Sequence, residues 1–294
     1  MHIAVFADLH GRLLLAFKLC ARWQQESGER IDLILQAGDL GAYPAMERLD
    51  RATRAYAARD PSELGFLEHF TRYDAQIADQ LAMTGCPLVF VRGNHEDHAW
   101  LDELESQQQS ALFPIDAYRR IYLLRTGLPW TFQQQDEQIT LLGIGRIAPP
   151  AEAEDRRQAR YIQQDESARL CALDAAPLDV LLTHHARPDF VLLERAGTTF
   201  RASSGMAEIT SLLEKKRPAC HFFGHYGGPP QVCTDPNGVT LSVKLADLHW
   251  ERGGSALQAG SMGLLHWQSR DQYTFEVLDS PWLREYNTWT WRDL

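Results

Sequence analysis

The stretch Pro87-Leu88-Val89-Phe90-Val91-Arg92-Gly93-Asn94-His95-Glu96 decides how this chain is read. Pro87 to Phe90 is a short apolar run with Gly85 in front and Gly93 behind, which reads as a buried strand. Asn94, His95 and Glu96 then fall at a strand's C-terminal end, the edge at which open α/β sheets bind ligands. Asn94 offers a neutral amide oxygen to a cation, His95 can donate or accept a proton, and Glu96 can orient a histidine. Taken alone, the segment reads equally well as a turn with a capping Asn and a solvated His-Glu pair.

Four further apolar runs end in the same way. Ile3 to Ala7 finishes in Asp8-Leu9-His10-Gly11, and because Asp8 and His10 are two apart, extended backbone points both to one side. Ile31 to Ala37 finishes in Gly38-Asp39-Leu40-Gly41. Asp179 to Thr183 runs into His184-His185, and Ala219 to Phe223 into Gly224-His225-Tyr226-Gly227-Gly228. One aspartate after a strand is a common cap or turn residue. Oxygen and nitrogen ligands at the ends of all these runs point instead to a metal site.

Composition permits this chemistry. The 294 residues, 45% hydrophobic and 23% charged, are enough for a large core in an ordinary globular chain. A formal net charge of −10 argues against nonspecific coating of nucleic acid, which needs clustered Lys and Arg. Acidic strand ends suit divalent cations, which would reverse the local field and admit a phosphate ester. The five cysteines include no Cys-x-x-Cys pair and fit a reducing compartment. Met1 to Phe6 reads as a first strand and not a signal peptide, and no apolar run approaches the roughly 18 residues of a membrane span, so a cytoplasmic location is expected.

Between the motifs, a helix is expected over 12–26, with Leu15, Leu19 and Trp23 on its apolar face. Residues 42–84 read as a helical insertion, a hairpin whose Arg48, Arg51, Arg54 and Arg59 form a solvated basic face, and the place to look for a specificity element. A polar helix over 97–109 precedes strands at 120–124, 130–134 and 138–144. Helices are expected at 152–173 and 206–216, and strands at 239–245, 263–267 and 273–278. No repeat, low-complexity block or linker divides the chain, so one domain is expected over 1–294.

The ordered set of motifs resembles the calcineurin-like metallophosphoesterases, whose pattern is Asp-x-His, Gly-Asp, Gly-Asn-His-Asp/Glu, a strand-end His and Gly-His-x-His. The likeness runs from Asp8 to His225. It implies a four-layer α/β/β/α sandwich with two divalent metal ions. Asp8 and His10 would hold the first ion, Asp39 would bridge, and Asn94, His184 and His225 would hold the second. Mixed carboxylate, amide and imidazole ligation suits Mn, Fe or Zn better than Ca or Mg. Two ions about 4 Å apart would lower the pKa of a bridging water and clamp the phosphoryl oxygens. His95 is then expected to protonate the leaving alkoxide, oriented by Asp39 or Glu96. Arg92 and Arg146 read equally as phosphate clamps or as structural ion pairs, and His185 as a substrate contact or, in preference, a satisfied partly buried histidine; the phosphate-ester substrate is expected to be a phosphodiester or nucleotide, with short RNA among the candidates. The alternatives are a phosphomonoesterase or protein-phosphatase-like enzyme, and a noncatalytic nucleotide-binding module that keeps the fold.

The sequence departs from the family pattern at Gly227, where a second histidine is usual. Protein serine/threonine phosphatases also lack that histidine and carry Arg-Gly-Asn-His-Glu, as at Arg92 to Glu96. Their arginine-bearing motif after the bridging Asp is missing, since Gly41-Ala42-Tyr43-Pro44 follows Leu40. Lariat RNA debranching enzymes share an insertion before Gly-Asn-His-Glu, but Asp8 stands where they tend to have Cys and Gly227 where they have His. Water is expected to complete the first site, leaving its ion more weakly held than the second.

Overall fold

Strand β1 (His2–Phe6) shows why the molecule is layered. Its side chains alternate between two faces, as a pleated strand requires. Ile3 and Val5 enter an apolar cluster with Val180, Leu182, Phe222 and Val243, while Ala4 and Phe6 enter another with Leu15, Phe17 and Leu19. A strand apolar on both sides must be covered on both sides.

The structure is a computed structural model that describes residues 1–293 apart from 151, 152, 154, 156, 175, 194–198, 202–204, 252 and 255, with 193 and 199–201 described in their backbone only. After β1 come α1 (Leu13–Ser27), β2 (Leu33–Gln36), α2 (Arg51–Ala57), α3 (Gly65–His69), α4 (Ala75–Ala82), β3 (Leu88–Phe90) and α5 (His98–Ser106). Then follow β4 (Leu112–Pro114), β5 (Ile121–Leu124), β6 (Trp130–Gln134), β7 (Glu137–Ile144), α6 (Gln164–Cys171), β8 (Val180–Thr183), β9 (Val191–Leu193) and β10 (Thr199–Arg201). The chain ends through α7 (Ala207–Lys216), β11 (Cys220–Phe223), β12 (Gln231–Thr234), β13 (Leu241–Lys244), β14 (Gly263–Ser269) and β15 (Gln272–Val277).

One sheet has the order β15-β14-β1-β2-β3-β5-β4 and the other β12-β13-β11-β8-β7-β6. In the first, β1, β2, β3 and β5 run parallel; in the second, β13, β11, β8 and β7 do, and antiparallel strands close the edges. The facing sides of the two sheets share one core, in which Val89, Leu141, Val180, Phe222 and Trp267 are essentially solvent-free. The outer face of the first sheet packs on α1, and that of the second on α6 and α7 through Leu170, Ile209, Leu212 and Leu213. This is the expected α/β/β/α sandwich, and its parallel strands bring their C-terminal ends to a common edge.

The 42–84 interval differs in detail from a helical hairpin. It is broken into α2, α3 and α4, with 3-10 turns at Met46–Arg48 and Pro61–Leu64. Asp50, Asp60 and Asp74 each cap a new start by accepting from the backbone amides of Thr53, Ser62 and Gln76, so short capped pieces replace long helices. Phe66 and Phe70 anchor the segment in the α1 cluster, and Arg48 is tied to Asp97. The helix expected over 152–173 begins only at Gln164, where Gln163 and Glu166 form a capping box; positions 152, 154 and 156 lie outside the described residues. Strands β4, β9, β10 and β12 have no counterpart in the sequence reading, since these three- or four-residue pieces lack the flanking apolar run and strand-end motif that mark β3 or β8. No described helix is long and apolar enough to cross a membrane.

Phe222 is fully buried between the sheets, its ring 5.2 Å from that of Phe275. Phe222→Ala is expected to cost about 3–5 kcal/mol, read from the urea midpoint, because the two rigid sheets cannot collapse onto the vacated volume.

Candidate metal centre

Backbone strain marks the site first. Asp8 (φ 49°), His10 (φ 43°), Asp39 (φ 54°) and His225 (φ 75°) all take the left-handed conformation. Each such non-glycine residue costs about 1–3 kcal/mol and persists where the surroundings impose it. All four follow the ends of β1, β2 or β11. Asn94 and His184 follow β3 and β8.

These residues meet. Among the described residues two ligand clusters occur, Asp8 with His10 and Asp39, and Asp39 with His184 and His225, their ligand atoms within 4.8 Å of one another. Asp39 belongs to both. His10 Nε2 lies 3.8 Å from Asp39 Oδ2, and His184 Nε2 lies 3.4 Å from Asp39 Oδ1. His184 Nδ1 sits 2.9 Å from the Ala37 carbonyl, which accepts its proton and leaves the Nε2 lone pair facing inward. That lone pair faces the acceptors Asn94 Oδ1 at 3.0 Å and Asp39 Oδ1, with His225 Nδ1 at 3.2 Å. Acceptors converging on one imidazole nitrogen are satisfied either by a proton on His184 Nε2 or by a cation in its place, so the residues present fit a divalent ion.

The electrostatics agree. Burial pushes the Asp8 carboxyl well above its usual range, and the charges of Asp247 and Asp39 add to this. Asp39 is held well below the usual range, since His184 and His10 outweigh its burial. Burial lowers His184, but Asp39 and Asp8 more than offset this and raise it to about 9. A proton on His184 thus supplies the positive charge that a metal would supply at neutral pH. Burial pulls His10 down to about 4 and His225 to about 3, keeping both neutral and able to bind metal.

The expected catalytic residues divide. The backbone amide of His95 donates to Asp39 Oδ1 at 2.7 Å, but its ring is held by Asp50, Nδ1 lying 2.8 Å from Asp50 Oδ2. The orienting group is therefore Asp50 and not Asp39 or Glu96. Burial lowers His95, yet the Asp50 bond and the charges of Asp39 and Asp50 raise it to about 9. Asp50 also accepts from the Tyr43 hydroxyl and the Thr53 amide, both at 2.7 Å. Sequence reasoning missed it because its only local signal is that of a helix cap. Glu96 is buried and accepts from the amides of Leu40 and Ala42 at 2.7 Å and of Gly93 at 3.3 Å, stapling the loops after β2 and β3 together. Burial and the charge of Asp39 push it to about 7.

Of the candidate substrate contacts, the two arginines are enclosed in ion pairs, while His185 packs behind the cluster with its ring 4.9 Å from that of His225. Arg92 and Arg146 are 3% exposed and held in ion pairs, Arg92 with Asp102 and Glu105, Arg146 with Asp102 and Glu166. Guanidinium groups so enclosed are not presented to a ligand. His185 is 1% exposed and stacks on Tyr226, their planes 11° apart. The cavity at the cluster, about 350 Å³, is lined by Asp8, His10, Asp39, Asn94, His95 and His225 and by the unforeseen Arg12, Tyr56, Glu63, Asp247 and His249. A more enclosed cavity beside Leu19, Leu257 and Leu278 is lined by none of the strand-end residues.

A family model described as calcineurin-like phosphoesterase matches residues 1–228. No curated protein matches the chain. Among solved structures, a protein of Thermus thermophilus is similar at 16% identity, over 94% of this chain and 98% of that one, with a TM-score of 0.50. A putative 5'-nucleotidase from Staphylococcus aureus is similar at 14% identity, over 99% of this chain and 58% of that one, with a TM-score of 0.46. At 16% identity the likeness to the Thermus thermophilus protein extends to the fold alone.

Gly93 lets the two halves of the site touch, since a Cβ there would fall within the carboxylate and backbone amide of Asp39. Gly93→Ala is expected to displace Asp39 by about 1 Å and to lower phosphoesterase activity about 100-fold, with metal content measured in parallel falling too.

Proposed function

The chain belongs to the calcineurin-like phosphoesterases and, with them, is a metal-dependent phosphoric ester hydrolase; from that premise we propose a binuclear centre that hydrolyses a phosphodiester or nucleotide, with His95 as general acid. The observation that carries the proposal is the sharing of Asp39 between two ligand clusters, beside a histidine whose ring is held by a carboxylate. Asp8, His10 and Asp39 would hold one ion, and Asp39, Asn94, His184 and His225 the other, with Mn, Fe or Zn the ions this donor set suits. Bound there, the two ions would activate a water as nucleophile and neutralise charge on the phosphoryl group.

The chain's own residues do the rest. Asp8, Asp39, Glu63 and Asp247 make the cavity acidic, so an anionic ester binds only after cations have offset them. Asp50 keeps the proton on His95 and fixes which ring nitrogen faces the cavity. Holding Nδ1, it leaves Nε2 to deliver a proton to the departing oxygen. Tyr56, 55% exposed at the cavity and carried on α2, gives an aromatic face on which a base could stack, which supports a nucleotide or short RNA over a bare phosphate.

Chromogenic diesters and monoesters, assayed with metal-stripped and Mn-loaded protein, test the reading. Activity on diesters that is lost on chelation and restored by Mn is expected. Full activity without metal would refute the mechanism, a monoester preference would favour a phosphomonoesterase, and ligand binding without turnover would favour the noncatalytic module. His95→Ala is expected to lower kcat about 10²–10⁴-fold.

The pH profile follows from Asp50. A general acid works in its protonated form, so activity falls as pH rises through the pKa of His95, which Asp50 raises. In Asp50→Asn the alkaline limb of kcat should therefore move to lower pH by at least about one unit. Bound cations lower the His95 pKa in both proteins, so the comparison keeps its sign.

A further inference from the structure

We infer that Asp247 supplies, from the segment after β13, the first-site metal ligand that a histidine at position 227 would have provided. The inference rests on the two-ion reading above and goes beyond it, since neither the family motifs nor the comparisons assign any role to Asp247.

Three placements lead to it. Asp247 lines the same cavity as Asp8, His10 and Asp39, the three residues of the first cluster. A parallel bridge pairs Asp247 with Ala7, so the chain beyond β13 lies alongside the end of β1, at the residue that precedes Asp8. Finally, a Cβ built on Gly227 would sit 3.6 Å from Asp247 Oδ2. The carboxylate thus stands beside Gly227 on the side to which a side chain there would project. A histidine and an aspartate serving the same ion would compete for that position, and this chain has the aspartate. The Gly227 carbonyl accepts from Lys244 of β13, which ties the glycine loop to the strand that leads into Asp247.

With Asp247 included, each ion would have four protein ligands. The first would have the clustered Asp8, His10 and Asp39 together with Asp247 from the same cavity wall, three carboxylates and one imidazole; the second would have Asp39, Asn94, His184 and His225, with two imidazoles. The weak first site expected from the glycine alone is therefore replaced by a tight but harder one. Carboxylate-rich ligation favours Mn over Zn, so the two sites should differ in the metal they prefer and not in how firmly they hold Mn.

Titration of metal-stripped protein with Mn, followed by calorimetry and by electron paramagnetic resonance, tests this without any substrate. The unaltered protein should take up two equivalents and give the spectrum of two coupled ions. Asp247→Ala should keep one equivalent, weaken the other at least tenfold and lose the coupled spectrum at limiting Mn. Asp247→Ala combined with Gly227→His should recover the second equivalent. Gly227 lies at φ 59°, a conformation that histidine tolerates better than most residues and that His10 and His225 already adopt here. Asp8→Ala marks loss of the first site. If Asp8→Ala weakens one site while Asp247→Ala titrates like the unaltered protein, the role of Asp247 is overturned and the two-ion reading stands. Fewer than two equivalents in the unaltered protein would overturn both. Should Asp247→Ala fail to fold by circular dichroism, Asp247→Leu, which fills the same space without a ligating atom, is read against the same criteria.

Discussion

The carboxylate of Asp39 is the constraint on which the rest of the site depends. It is 3% exposed, belongs to both ligand clusters and accepts the backbone amide of His95. A buried carboxylate is unfavourable unless it is paired on every side. The fold supplies partners from several directions: His10 after β1, His184 after β8 and the amide of His95 after β3. Parallel strands make this possible, because they end along one edge while their connections run behind them. The left-handed backbone at Asp8, His10, Asp39 and His225 is the local strain that accompanies turning four side chains towards one point.

A second buried carboxylate holds this arrangement together. Glu96 accepts three backbone amides from the loops after β2 and β3 and so fixes the distance between Asp39 and the Asn94-His95 pair. Its place in the motif suggests a role on the histidine ring. Its charge instead serves the backbone, and the ring is served by Asp50, which comes from the insertion. The insertion thus supplies both Asp50 to the His95 ring and Tyr56 to the cavity wall.

The legible part of the sequence was the part encoded locally. Apolar runs ending in Asp8, Asp39, Asn94, His184 and His225 gave both the parallel sheets and the candidate ligands, since strand and ligand are adjacent in the chain. Asp50 and Asp247 were not legible. Each lies outside the strand-end motifs, and each reaches the site only because two distant segments pack, Asp50 across 45 residues to His95 and Asp247 across the bridge to Ala7. Arg92 and Arg146 read equally as phosphate contacts or as structural ion pairs, because only packing decides between the two. Their sequence position at strand ends allowed either, and Asp102, Glu105 and Glu166 on the neighbouring helices enclose them in ion pairs. Short strands such as β4 and β12 arise from pairing with an existing neighbour and leave little trace in composition.

The central claim is that Asp39 lies between two ions. Anomalous diffraction from crystals grown with Mn locates them directly. Two peaks are predicted, one on each side of Asp39, the first against Asp8 and His10 and the second against His184 and His225. A single peak, or two peaks with Asp39 bound to only one of them, would contradict the account.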